Sequence, residues 1–131
     1  MSRKETHYLN TDLELAGPVD LTPLARALSL LGLYNFHVLK EDGKDLWTAR
    51  FETLEGFTGP EENITAFLYA IESLPHGLRK LWDLCSLREF DIGYDCGEQP
   101  SPFYHQITPV TLERITKVGA AIGITLYPFA E

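Results

Sequence analysis

A chain of 131 residues, 44% hydrophobic and 23% charged, is long enough for one hydrophobic core, too short for two ordinary domains, and unlike a disordered segment in composition. Nineteen acidic residues against eleven basic ones give a formal charge of −8, which repels nucleic acid and anionic membrane surfaces unless basic residues are concentrated somewhere. Arg3-Lys4 and Arg79-Lys80 are isolated pairs, so neither partner is expected.

The stretch from Met1 to His7 lacks the apolar core of a secretion signal, and no apolar run approaches the roughly 20 residues of a membrane span. A single cytoplasmic domain over residues 1–131 is expected. Cys85 and Cys96 are the only cysteines, and in a reducing cytosol they are expected as free thiols.

In chain order, His7 to Leu15 alternates, with Leu9, Leu13 and Leu15 on one side and Tyr8, Asn10, Asp12 and Glu14 on the other, and Gly17-Pro18 ends this first strand. Thr22-Pro23 has the form of a cap and first helical position, and Leu21, Leu24, Leu28 and Leu31 recur at helical spacing until Gly32. Tyr34 to Lys40 and Leu46 to Leu54 flank a turn at Asp42-Gly43 and predict a hairpin. Thr58-Gly59-Pro60-Glu61-Glu62 opens a second helix carrying Ile64, Phe67, Leu68, Ile71 and Leu74. Pro75-His76-Gly77 breaks it, and Leu78, Leu81, Trp82 and Cys85 predict a further helical turn or two.

From Leu87 to Glu98, Phe90, Ile92, Tyr94 and Cys96 alternate with Glu89, Asp91, Gly93 and Asp95, the pattern of a strand with one buried and one acidic face. The loop from Gly97 to Ile107, with Pro100 and Pro102, is expected to be irregular, with Phe103-Tyr104 as a candidate edge strand. Thr108-Pro109 starts a third helix through Leu112, Ile115, Val118 and Ile122, and Ile124 to Tyr127 forms the last strand.

The order β-α-β-β-α-β-α-β predicts an α+β fold, a two-layer sandwich with a ferredoxin-like antiparallel sheet and helices on one face. The open face would then gather Asn10, Asp12 and Glu14, Asn35 and His37, Arg50 and Glu52, and Glu89, Asp91 and Asp95. Such a face suits a basic partner protein, because carboxylates accept paired bonds from arginine and complementary charge steers encounter. The candidate partner-binding residues are therefore Asp12, Glu14, His37, Arg50, Glu52, Glu89, Asp91 and Asp95. The bland alternative is an ordinary solvated face.

Catalysis has less to stand on. Asp91 and Asp95 would lie about 13 Å apart along a strand, far from the roughly 5 Å of a retaining glycosidase pair. A hydrolase or small-ligand binder would have to use His37 with Glu52 or Asp91 across strands. Zinc binding by Cys85, Cys96, His76 and His105 is disfavoured by their spacing, and both thiols fall on apolar stripes. Phosphate-cradling glycine loops, nucleophile elbows and Walker motifs are missing, so no cofactor, metal or catalytic residue is implied.

Asp20-Leu21-Thr22-Pro23 leading to Leu31-Gly32-Leu33, Trp47 in the hairpin, and the closing run Ile107-Thr108-Pro109, Leu112, Val118-Gly119-Ala120 and Ile122 to Tyr127 resemble a bacterial family, domain of unknown function 4279. Between Gly56 and Asp95 only the sequence of elements matches. The resemblance implies a small bacterial cytoplasmic protein, and some such domains look like immunity proteins that neutralise a toxin. It brings no catalytic residues. The reading is thus a non-enzymatic binding module, an immunity-type inhibitor that is a monomer or homodimer, docking its acidic face on a basic partner such as a toxin.

Overall fold

The computed structural model describes residues 5–98 and 101–129, so Arg3, Lys4 and Pro100, singled out above, lie outside the described residues. Its elements are β1 (His7–Gly17), α1 (Thr22–Leu30), β2 (Leu33–Lys40), β3 (Trp47–Thr53), α2 (Pro60–Glu72), α3 (His76–Asp83), β4 (Leu87–Asp95), α4 (Pro109–Lys117) and β5 (Ala121–Tyr127). Over the described residues the fold is α+β, with four helices and one open five-stranded sheet ordered β2-β3-β1-β4-β5.

Two expectations are corrected. The sheet is mixed rather than antiparallel, because β5 runs parallel to β4. The connection between them carries α4, and a helical crossover returns the chain in the same direction. The turn or two expected after Pro75 is a full helix, α3, which makes the order β-α-β-β-α-α-β-α-β. Among the described residues, no helix is long and apolar enough to cross a membrane.

The core lies between the helices and one side of the sheet. Leu24 and Leu28 of α1, Ile64, Phe67, Leu68 and Ile71 of α2 and Trp82 of α3 pack with Leu13 and Leu15, Phe51, and Phe90 and Ile92. Trp82 is fully buried, and its indole Nε1 donates to the Val118 carbonyl at 2.8 Å, so its polar tip is satisfied without breaking the apolar packing. Trp47 is half-buried against the same core. Cys85 is buried beside Gly17, and burial pushes its thiol up to about 11; Cys96 lies just beyond the end of β4.

The helix starts differ from the sequence reading in detail. Leu21, not Thr22, is the N-cap of α1, and the Asp20 carboxylate accepts the Thr22 backbone N–H at 2.8 Å. The Thr22 side chain first, and then that backbone bond, favour the ionised form and hold the Asp20 carboxyl below its usual range. Gly59, not Thr58, caps α2. Thr108 does cap α4, but no side-chain cap bond forms; its own backbone N–H donates to the Glu61 carboxylate. Phe103 and Tyr104 form no strand.

Candidate functional site: the acidic sheet face

Alternation and register decide which side chains share the face away from the core. On β1, Leu13 and Leu15 are buried, which turns Asp12 and Glu14 outward. Asp12 stands opposite Asp91 and Glu14 opposite Glu89 on β4, while Glu14 stands opposite Arg50 on β3. Asp95 continues the β4 row opposite His7, whose Nε2 lies 3.7 Å from the Asp95 carboxylate. Asp12, Glu14, Glu52, Glu89, Asp91 and Asp95 therefore share one face with Arg50.

Arg50 anchors the middle of this face. Its Nε donates to Asp12 Oδ2 at 3.0 Å and its Nη2 to the same oxygen, while its guanidinium lies 5.4 Å from the centre of the Phe36 ring. Asn10 Nδ2 bridges two carboxylates, donating to Asp12 Oδ1 at 3.0 Å and to Glu52 Oε2 at 2.7 Å. Asp91 accepts from the Thr125 hydroxyl at 2.8 Å, which ties β4 to β5 by side chains as well as backbone. Glu89 lies across β5: a Cβ added at Gly123 would meet its carboxylate carbon at 2.9 Å.

Burial and charge crowding both show in proton affinity. Burial, reinforced by Asp91, Asp12 and Glu89 and opposed by Arg50, raises the Glu14 carboxyl above the usual carboxylate range. Glu52 is raised as well, first by burial and then by Asp12, although Arg50 and the Asn10 amide pull against both. Both groups thus carry a penalty for being ionised, first from burial and then from the like charges beside them.

His37 faces the same side, directly opposite Arg50. Asp91 is out of its reach: β3 and β1 lie between β2 and β4, so the two rows are about 14 Å apart at the usual strand spacing. The proposed pairing of His37 with Asp91 is corrected accordingly. Asn35 also differs from expectation. The register shifts between Asn35 and His37, and Asn35 pairs with Phe51, on the core side, where it lines a groove of about 600 Å³ with Arg26, Ser29 and Leu30 of α1. Tyr34 and Phe36 take the outer face instead, edge to face at 5.0 Å.

A second register shift, between Tyr8 and Asn10, turns Leu9 out of the core. Leu9 is 47% exposed and helps line a shallow depression of about 180 Å³ with Asn10, Asp12, Arg50, Glu52, Asp91 and Tyr127. Tyr8 goes inward, its hydroxyl bonded to Thr11 Oγ1 at 2.6 Å and donating to Asn63 Oδ1 at 2.7 Å. Burial pushes that phenol up to about 12. Asn63 also accepts the Thr11 backbone N–H and donates to Thr53, so both polar atoms of this buried amide have partners.

The sequence reading missed Thr125, Gly123, Tyr127 and Leu9 as parts of the face. For the first three the signal was present, since Gly123, Thr125 and Tyr127 alternate with Ile122, Ile124 and Leu126. Among the described residues, no group of three or more His, Cys, Asp and Glu side chains is placed to hold a metal ion. Comparison of the chain with protein-family models, with curated proteins and with solved structures found no match.

Proposed function

We propose that this chain is a non-enzymatic binding protein, an immunity-type inhibitor that docks its acidic sheet face on a basic partner protein such as a toxin. The observation that carries the reading is that six carboxylates share a single face with one arginine, with Glu14 opposite Glu89 and Asp12 opposite Asp91. Like charges directly opposite one another in a sheet destabilise it, and a cationic surface laid over them removes that cost while the field of the face speeds encounter. Breadth also favours a protein over a small molecule: the depression at the centre holds about 180 Å³, below the roughly 300–1,000 Å³ of ligand pockets.

The fold we infer beneath this face is the ferredoxin-like split βαβ plan, a two-layer sandwich extended by α4 and β5. Support comes from the order β2-β3-β1-β4, in which the first four strands are antiparallel neighbours. The resemblance to domain of unknown function 4279 and a cytoplasmic setting belong to the same proposal, and the reading invokes no cofactor.

The test is affinity capture from the cells that make the protein, with wild type beside a Glu14→Lys/Glu89→Lys/Asp95→Lys variant, followed by mass spectrometry. This triple leaves the Asp12–Arg50 and Asp91–Thr125 bonds intact. A basic protein retained by wild type and lost by the variant is the expected result. Equal retention by both ends the proposal.

A further inference from the structure

The sheet has two outer edges, β2 and β5, and they differ in how they meet solvent. β2 is interrupted by its register shift and carries His37 and Lys40, devices that discourage a further strand from pairing. β5 has neither. Its seven residues, Ala-Ile-Gly-Ile-Thr-Leu-Tyr, contain no charge and no proline, and their register against β4 is unbroken. On its core-facing side, in register with Phe90, Ile92 and Tyr94, stand Ile122, Ile124 and Leu126, the last two 64% and 61% exposed.

We propose that two copies of this chain pair antiparallel through β5 about a two-fold axis, forming a continuous ten-stranded sheet. Centred on Ile124, the pairing sets Ile124 against its own counterpart and Ile122 against Leu126, a self-complementary apolar row of the kind an isologous interface requires. Outward backbone groups of β5 gain partners at the same time.

Charge argues for a second copy here rather than elsewhere. The chain carries −8, so most surfaces of two copies repel, while β5 is neutral along its length. With β5 against β5, the two β4 backbones stand three strand spacings apart, about 14 Å, which separates Asp91 and Asp95 from their counterparts, while the Glu89 carboxylates, lying over Gly123, come nearer. The backbone spacing exceeds the Debye length of about 8 Å at physiological salt, so repulsion between the Asp91 and Asp95 rows is largely screened there, and the total, with Glu89 included, strengthens as salt is removed.

Sedimentation equilibrium on the full chain, from low micromolar to submillimolar concentration, tests this. At about 0.15 M salt wild type is expected to show a reversible monomer–dimer equilibrium that weakens at about 0.01 M salt. Ile124→Lys lowers the association constant by about tenfold or more, because each dimer then holds two buried lysines at its centre. Leu39→Lys on β2 and Glu14→Lys on β1, two strands from β5, leave the dimer intact, which separates this inference from the partner-binding proposal. Leu126→Lys gives a second reading if Ile124→Lys perturbs the circular dichroism of the fold. A wild type that stays monomeric throughout, or a dimer indifferent to both β5 substitutions, overturns the inference.

Discussion

Glu14 on β1 stands directly opposite Glu89 on β4, and Arg50, its neighbour on the other side, is already bonded to Asp12. A protein selected for stability alone has no reason to place two glutamates across a ladder from each other, since such a pair costs a few tenths of a kcal/mol to about 1 kcal/mol. The arrangement makes sense if the face meets positive charge.

Replacing Glu14 with Gln therefore raises stability at pH 7. The Glu14 carboxyl is raised in the folded state, so the fold binds its proton more tightly than the unfolded chain does, and ionised Glu14 subtracts from stability at neutral pH. As pH falls through the raised value, wild type recovers that loss and the advantage of Glu14→Gln disappears. Thermal melts at pH 7 and below the carboxylate range check both arms.

Opposite behaviour is expected at Glu72. Its carboxylate accepts from Arg114 Nε at 2.9 Å and Nη2 at 2.8 Å, and that paired bond holds its carboxyl below the usual range. Stability from this group is present above the unfolded carboxylate value and is lost as pH falls through the folded one. Glu72→Gln is thus mildly destabilising at pH 7, by up to about 1 kcal/mol for so exposed a pair, and loses its effect in acid. Urea titrations at the two pH values measure it.

Arg50→Ala leaves Asp12, Glu14 and Glu52 without their nearest cation and removes the contact with Phe36. The expected cost is about 1 kcal/mol at low salt and less at high salt. A double-mutant cycle with Asp12→Ala should show coupling, whereas additive effects would mean that the bond contributes little.

Asn63→Ala is the severe substitution. It strands the Thr11 backbone N–H in the core and removes one partner each from the Tyr8 hydroxyl, which keeps Thr11 Oγ1, and the Thr53 hydroxyl, which keeps the Glu55 carbonyl, a loss of about 1–3 kcal/mol by chemical denaturation. Asn63→Asp keeps the acceptor but loses the donor to Thr53, and should fall between.

Gly119→Ala destabilises by about 1 kcal/mol or more. Gly119 follows the last turn of α4 with φ +70°, a left-handed conformation that lets the helix end, and an added Cβ would also meet Arg88 Nη2 at 2.9 Å. Arg88 bonds the Gly119 carbonyl and three carbonyls between Trp82 and Cys85, so its displacement would be felt in α3 as well.

Where side chains alternate without interruption, sequence alone located the elements and the faces. Glu89, Asp91 and Asp95 follow from the period of two along β4, and Arg50 and Glu52 from the same period along β3. The failures sit at the two register shifts. Leu9 reads as core and Asn35 as surface until an extra residue in each strand exchanges the sides, and an isolated pattern such as Tyr8-Leu9 contains no mark of that shift. The direction of β5 was equally hidden, since parallel pairing with β4 depends on the α4 crossover rather than on the strand's own residues. His37 was placed on the right face, but its distance from Asp91 needed the strand order.

The most direct test of the acidic face is carboxyl-specific footprinting of the chain, free and bound to the captured basic protein, read residue by residue by mass spectrometry. Glu14, Glu89 and Asp95 are expected to lose reactivity on binding while Glu41 in the β2–β3 turn and Glu113 on α4 keep theirs. Protection of Glu113 or Glu41 with the sheet carboxylates unchanged would place the partner elsewhere and contradict docking on this face.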